Sequence, residues 1–184
     1  MGQINKGYLN ARTDDESNEC YTPFYAVEPI LKYIPKDKIV WCPFDEEWSA
    51  FYQLLKERGY KVVRSSLKEG QDFFKYEPEK WDILVSNPPF SYKDEIIERC
   101  YSFDKPFALI LPVVTIQSIR RFKSFKKGIQ LLAFDRRIKF HTGGDFQNYN
   151  PSGVAFGSAY YCRDLLPGDL ILEELKEYKR PLKK

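Results

Sequence analysis

The stretch Asp82-Ile83-Leu84-Val85-Ser86-Asn87-Pro88-Pro89-Phe90 decides the fold of this chain. Its apolar centre predicts a short strand that is buried on both faces, because the run is brief and is bounded by chain breakers. The two prolines end that strand abruptly, since proline lacks the N–H group that a sheet requires. A helix is expected next, at about 92–102, so a strand, a tight turn and a helix follow one another directly.

The same succession recurs on both sides of this stretch. Strands are predicted at about 38–42, 60–64, 107–111 and 129–134, and helices at about 25–34, from about 46 onward and at about 115–125. Right-handed crossovers between such strands give a parallel sheet. We therefore expect an α/β fold with a Rossmann-like, mostly parallel sheet and helices on both faces.

The last third of the chain departs from this succession. Val154 to Cys162 is one long apolar and aromatic run, and no helix is predicted between it and the preceding strand. This pattern favours an antiparallel edge or hairpin at the C-terminal end of the sheet. The apolar residues of 170–175 predict a final helix at about 168–178.

Length and composition narrow the class of protein. The chain has 184 residues, which suits one domain, so we assign 1–19 to a flexible N-terminal arm and 20–184 to a single domain. No apolar run approaches the roughly 20 residues that span a bilayer, so no membrane contact and a cytoplasmic location are expected. The 4 cysteines lie far apart and His141 is the sole histidine, so no metal site is expected.

The turn after Ser86 has the chemistry of an amine-binding site. In open α/β sheets, ligands bind outside the carboxyl ends of the strands, where this turn is predicted to lie. Pro88 and Pro89 fix two φ angles and remove two N–H donors, so the backbone is rigid and offers carbonyl oxygens. The side-chain oxygen of Asn87 beside a proline carbonyl makes two acceptors for the two hydrogens of an NH₂ group. Phe90 offers a face on which a planar base can stack, and an adenine in a duplex reaches such a pocket only when it is flipped out.

The segment 82–90 resembles the catalytic strand and the (D/N/S)-P-P-(Y/F/W) motif of the adenine-N6 DNA methyltransferases. That resemblance implies S-adenosylmethionine as the methyl donor and a Rossmann-like sheet of seven strands that ends in an antiparallel hairpin. It also implies a catalytic role for Asn87, Pro88, Pro89 and Phe90. The same tetrapeptide type occurs in enzymes that methylate glutamine amides or other exocyclic amines. As a whole, the chain is similar to small methyltransferase-like proteins of phages and prophages.

Two further segments match this family in order. Thr22 and Pro23 stand in a segment that resembles the "F-x-T-P" sequence that closes over the cofactor, and a helix N-cap followed by proline is the alternative. Asp72 and Phe73 resemble the "D-F" segment, in which an acid accepts from the adenine amine of the cofactor and an aromatic ring lies on that adenine. A surface turn is the alternative for this second segment.

The loop after the first long strand departs from the family pattern. Pro43 and Phe44 match a "D-P-F" sequence, but Cys42 replaces the acid and no glycine follows. Asp45 can face the positive charge of the cofactor or the N-terminus of the next helix, where acids are also favoured. The next strand ends at Arg64 and two serines, without the acid that usually holds the ribose hydroxyls.

Basic residues form local clusters, although the net charge is only +3. Arg120, Arg121, Lys123 and Arg136 are candidate phosphate contacts, which would position a nucleic acid without reading its sequence. Solvated helix faces are the alternative explanation.

The sequence favours a methyltransferase that uses S-adenosylmethionine to modify the exocyclic N6 amine of adenine in nucleic acid, with DNA favoured over RNA. Two alternatives stay open. A non-catalytic module of the same fold would bind nucleic acid or a protein, because the cofactor loop lacks glycine. A methyltransferase for a protein amide or a small-molecule amine would keep the same turn.

Overall fold

The fold consists of a long sheet, helices on its two faces and a small separate ribbon of two strands. The computed structural model describes residues 20–142 and 156–182, so the predicted arm at 1–19 lies outside the described residues. The strands are β1 Cys20–Tyr21, β2 Ile39–Cys42, β3 Lys61–Arg64, β4 Ile83–Ser86, β5 Phe107–Pro112, β6 Gln130–Phe134, β7 His141–Thr142, β8 Ser158–Arg163 and β9 Leu170–Glu173. The helices are α1 Phe24–Leu31, α2 Ala50–Glu57, α3 Lys93–Ser102 and α4 Ile119–Phe125, with short 3-10 turns at Leu67–Glu69, Phe90–Tyr92 and Val113–Ile116.

The main sheet has seven strands in the order β3-β2-β4-β5-β8-β6-β9. β2, β3, β4 and β5 run parallel, and β6 runs parallel to β9. β8 is antiparallel to both of its neighbours, β5 and β6. The expected α/β fold, with a mostly parallel sheet and antiparallel strands near the C-terminal end, is therefore confirmed. The antiparallel strand lies inside the sheet, however, and the edge position belongs to β9.

Two apolar clusters cover the two faces of this sheet. Residues alternate between the faces along each strand, as in β4, where Ile83 and Val85 join one cluster and Leu84 joins the other. α1 and α2 contribute to the first cluster, while α3 and the end of α4 contribute to the second. The expected placement of helices on both faces is thus observed, and their packing holds the strand ends in place.

The predicted final helix at 168–178 is wrong, because β9 occupies Leu170–Glu173 and pairs with β6. Leucine and glutamate favour helices when considered alone. Leu170 and Leu172 are 60% and 74% exposed, so this edge strand lacks the alternation of buried apolar and exposed polar residues that marks a strand in sequence. Pairing with β6 overrides the local preference.

The ribbon of β1 and β7 fixes the start of the described chain. Cys20 pairs with Thr142 and Tyr21 with His141 in antiparallel register. This pairing holds the segment that precedes α1 close to the carboxyl end of β4, as the contact between Asn87 and Cys20 shows. None of the helices formed by residues 20–142 and 156–182 is long and apolar enough to cross a membrane.

Candidate functional site

A cavity of about 640 Å³ opens at the carboxyl ends of β2, β3 and β4. Its walls come from the segments 20–22, 43–51, 66–74 and 87–92, together with Leu182 near the end of the described chain. This volume falls within the roughly 300–1,000 Å³ that small-molecule sites occupy. The cavity lies where ligands bind in open α/β sheets.

The structure gathers nearly all of the predicted cofactor and catalytic residues around this one cavity. Pro23 lies outside its walls and begins the turn into α1. The others line it: Thr22, Pro43, Phe44, Asp45, Asp72, Phe73, Asn87, Pro88, Pro89 and Phe90. Segments that are far apart in sequence therefore meet around one space.

The side-chain amide of Asn87 is oriented by the backbone of β1. Asn87 Nδ2 donates to the Cys20 carbonyl oxygen at 2.7 Å. The amide oxygen Oδ1 is shielded from water and has no hydrogen-bond partner within the described part of the chain. An acceptor in this state costs about 1–3 kcal/mol unless a donor reaches it. A ligand amine is the kind of donor that would remove that cost.

The rest of the turn combines a fixed backbone with an aromatic ring. Pro88 is buried and Pro89 is exposed. The chain then enters the 3-10 turn that leads into α3. The half-buried ring of Phe90 makes an edge contact with Phe156, with ring centroids 5.6 Å apart. The turn therefore presents a flat apolar group beside the Asn87 amide.

Asp45 is a buried carboxyl group that touches the end of β4. Ser86 Oγ donates to Asp45 Oδ2 at 2.5 Å, and only 5% of Asp45 is exposed. Burial raises the pKa of Asp45 to about 7, although hydrogen bonds from Ser86 and Ser49 oppose the shift. α2 begins at Ala50, after Ser49, and has no acid in its first turn, so the helix-terminus explanation for Asp45 does not apply.

Thr22 is also buried without a local structural role. Its hydroxyl has no hydrogen-bond partner among residues 20–142 and 156–182, and only 6% of the residue is exposed. The N-cap position of α1 is Pro23, and no side chain caps this helix. The alternative explanation of Thr22 as a helix cap is therefore not observed.

Asp72 and Phe73 belong both to a local turn and to the cavity wall, which were the two alternatives for this segment. Asp72 Oδ1 accepts from the Phe74 backbone N–H at 3.0 Å, so this acid does stabilise a local turn. The ring of Phe73 is 4% exposed and packs against Phe44 and Trp41, with centroid distances of 4.7 and 5.5 Å. Both residues nevertheless form part of the cavity wall.

Sequence analysis did not identify Ser66 and Gln71 as site residues. Both line the cavity next to the end of β3, where the sequence offered no acid for ribose. Ser66 Oγ and Gln71 Oε1 are buried and lack hydrogen-bond partners in the described ranges. No sequence motif marks this serine and this glutamine as site residues. They stand out only in the structure, because their polar side-chain atoms are buried without hydrogen-bond partners in the described ranges.

The predicted phosphate contacts differ widely in their surroundings. Lys123 is exposed, and Arg136 is exposed with an ion pair to Asp135 at 2.6 Å. Arg120 is exposed and forms ion pairs with Glu95 and Glu98, both at 2.8 Å.

Arg121, by contrast, is only 7% exposed. Its guanidinium donates to the Asp94 carboxylate and to the Thr115 carbonyl oxygen, the latter at 2.7 Å. Arg121 is therefore better explained as the contact that holds α4 against α3 than as a phosphate contact.

Metal ligands do not cluster in the described ranges. Residues 20–142 and 156–182 contain no group of three or more histidine, cysteine, aspartate or glutamate side chains that could hold an ion. His141 lies in β7, and burial lowers its pKa below the ordinary value.

Comparisons with known proteins include a distant likeness to a solved structure. No family model matches the chain. No curated protein matches it. Among solved structures, the chain is similar to a Listeria monocytogenes protein that is assigned provisionally to the class I S-adenosylmethionine-dependent methyltransferases. The two are 10% identical, the match covers 92% of this chain and 69% of that one, and the TM-score is 0.45. A likeness of this degree does not bear on activity.

Proposed function

We propose that this chain is an S-adenosylmethionine-dependent methyltransferase that modifies the exocyclic N6 amine of adenine in nucleic acid, with DNA favoured over RNA. The observation that carries the proposal is the orientation of Asn87. The Cys20 carbonyl accepts from its Nδ2, which leaves Oδ1 as the acceptor, on a residue that lines the cavity.

Asn87 and Pro88 would hold the amine of the target base. An NH₂ group donates two hydrogen bonds, one to Asn87 Oδ1 and one to the Pro88 carbonyl. Two fixed acceptors draw the nitrogen toward a tetrahedral geometry. In that geometry its lone pair is no longer delocalised into the ring, so the nitrogen becomes nucleophilic. Because both acceptors are already in place, they would orient the amine for attack, and no strong base would be needed to activate it. Phe90 would support the face of the ring.

The charges along the cavity suit a cationic cofactor. Asp45, Glu46 and Asp72 line it, and Lys68 is the one basic side chain among its described wall residues. When bound, S-adenosylmethionine would supply a methyl group: the amine nitrogen would form the new C–N bond as the C–S bond breaks, the sulfur would leave as a neutral thioether, and the extra amine proton would pass to water. Asp45 would face the positive charge of the cofactor.

The buried polar atoms fit the remaining parts of such a cofactor. Thr22 Oγ1, Ser66 Oγ and Gln71 Oε1 are shielded from water and have no hydrogen-bond partners among the residues described. Ribose hydroxyl and amino groups are donors and acceptors of the kind that would satisfy them. In this proposal Ser66 and Gln71 take the place of the acid that usually holds the ribose, which is absent after β3.

Two measurements test the proposal. Calorimetric titration of the purified chain with S-adenosylmethionine should show binding at micromolar concentrations. Tritium from labelled cofactor should enter duplex DNA or RNA, and nuclease digestion should recover it in N6-methyladenine.

The alternatives correspond to other outcomes of the same assays. No cofactor heat from a folded chain would favour the non-catalytic module. Label that enters only protein or small molecules would overturn the nucleic-acid substrate.

A further inference from the structure

A row of apolar side chains is exposed on the segment after β5. Val113, Val114, Ile116, Ile119 and Phe122, which we call the 113–122 ridge, are 49%, 54%, 40%, 97% and 61% exposed. Single exposed apolar residues are ordinary, but several together mark a binding surface.

The backbone of the ridge is held by hydrogen bonds to buried residues, which fixes where these side chains leave the surface. The Tyr161 hydroxyl donates to the Val113 carbonyl oxygen at 2.8 Å. The buried guanidinium of Arg121 donates to the Thr115 carbonyl oxygen and to Asp94 of α3. Ser118 caps α4 by accepting from the Arg121 N–H. A fixed apolar ridge loses little conformational entropy when it binds.

The ridge lies beside the candidate site. It follows β5, which pairs with the catalytic strand β4 through Ser86 and Leu109. Val113 N donates to the Gly157 carbonyl at 2.9 Å, and the adjoining Phe156 contacts the ring of Phe90. The ridge is therefore continuous with the Phe90 side of the cavity.

Exposed lysines lie on the same segment as the ridge, whereas Arg120 and Arg121 are paired with acids of α3. No acidic residue occurs between Asp104 and Asp135, a segment that contains the whole of α4. Lys123 and Lys126 are exposed and have no ion-pair partners in the described part of the chain. Lys126 also lies over the ring of Phe122, with its ammonium 5.6 Å from the ring centroid. In a nucleic acid, the apolar side chains of the ridge would contact the bases, and the neighbouring lysines would contact the phosphates.

We propose that the 113–122 ridge is a wedge that enters duplex nucleic acid and unstacks the bases beside the adenine that is to be methylated. This inference rests on the proposed function, because the wedge would deliver its base to the Asn87 turn. Phenylalanine and isoleucine are side chains that proteins insert between base steps, where they partially unstack the bases. A base that is already unpaired needs no such wedge.

The test compares a ridge variant with a matched control. The ridge variant carries Ile119→Ser and Phe122→Ser, and both side chains are exposed enough that folding should be kept. The control carries Leu170→Ser and Leu172→Ser, which are also exposed and lie on β9, three strands away from β5. Both are assayed for methyl transfer to a random-sequence duplex pool and to its separated strands, alongside thermal melting.

On duplex DNA the ridge variant should lose about tenfold or more in kcat/KM, whereas on single strands it should stay within about twofold of the unaltered protein. The control should match the unaltered protein on both. Equal losses on duplex and single strands, or no loss on duplex, would overturn the wedge while leaving the methyltransferase proposal intact.

Two further outcomes separate the proposals. If the unaltered protein methylates no nucleic acid, the proposed function fails, and so does the wedge, since no base is delivered. If the unaltered protein sediments as a dimer, the ridge variant as a monomer, and duplex transfer is kept, the ridge binds a second copy of the chain and the wedge is overturned.

Discussion

The hydroxyl of Ser86 donates to the carboxyl group of Asp45 at 2.5 Å, and both residues are buried. Ser86 is the residue immediately before Asn87, so the loop after β2 is tied directly to the start of the turn at 87–90. Asp45 and Asn87 both line the cavity, so a change in the charge of Asp45 is expected to affect both parts of its wall.

Asp45→Asn should stabilise the protein at alkaline pH. Burial raises the pKa of Asp45 from 3.8 to about 7, so the folded state retains a proton that the unfolded state has already released. The free energy of unfolding from this group therefore falls as pH rises from about 4 to about 7, and the loss is complete above that range. Melting curves of the variant and the unaltered protein should separate at pH 8 and approach each other at pH 4. Parallel curves would contradict this expectation.

Binding of S-adenosylmethionine should strengthen as pH rises through about 7, because the cation is attracted by the ionised form of Asp45. Cofactor binding to the protonated form should release a proton. Calorimetry at one pH in buffers of different ionisation enthalpy measures this release. Asp45→Asn should bind more weakly and release no proton, and Glu46→Gln serves as the control for a neighbouring acid. Proton release that survives in Asp45→Asn would assign the effect to another group.

Asn87→Ala should abolish methyl transfer while cofactor binding is kept. The variant also loses the hydrogen bond to Cys20, which contributes about 1 kcal/mol, so the melting temperature should fall by roughly 2–4 °C. Lys61→Ala, an exposed residue on the edge strand β3 and outside the cavity wall, is the control and should leave transfer intact. A much larger fall in melting temperature would show that Asn87 is mainly structural.

Two neighbouring arginines should respond differently to truncation. Arg121→Ala leaves Asp94 and two backbone carbonyls without their donor, so it should cost about 3 kcal/mol of stability. Arg120→Ala removes only exposed ion pairs, which contribute little. Chemical denaturation of the two variants measures the difference. Equal losses would mean that the burial of Arg121 does not matter.

The exposed lysines of α4 should set the salt dependence of nucleic-acid binding. Lys123→Ala combined with Lys126→Ala should reduce the slope of log affinity against log salt by about 2, because each phosphate contact releases about one counterion. Fluorescence anisotropy with a duplex at several salt concentrations measures the slope. Lys61→Ala, on the edge strand β3, should leave the slope unchanged.

Most of the sheet could be predicted from the sequence, because parallel strands that are buried on both faces are short continuous apolar runs. β4 and the turn after it were predicted within one residue, since prolines end a strand unambiguously. β9 was mistaken for a helix, because an edge strand that exposes its leucines has no strand-like alternation. Tertiary pairing decides such a segment, and a local pattern cannot show it.

The candidate site could be predicted only where residue type carries the chemistry. Asn87 and its prolines are recognisable because few other residues give rigid acceptors. Ser66 and Gln71 are not recognisable, since their interest comes from burial without partners. The burial of Arg121 could not be predicted either, because the sequence around it looks like that of an exposed basic residue on a surface helix.

Leu182 is 1% exposed and forms part of the cavity wall, opposite the segment that begins at Cys20. The two ends of the described chain thus meet around one space. During synthesis, the sheet and its helices can assemble before residue 182 emerges from the ribosome, but the cavity then still lacks a wall. The cavity therefore gains its complete wall later in synthesis than the sheet gains its strands.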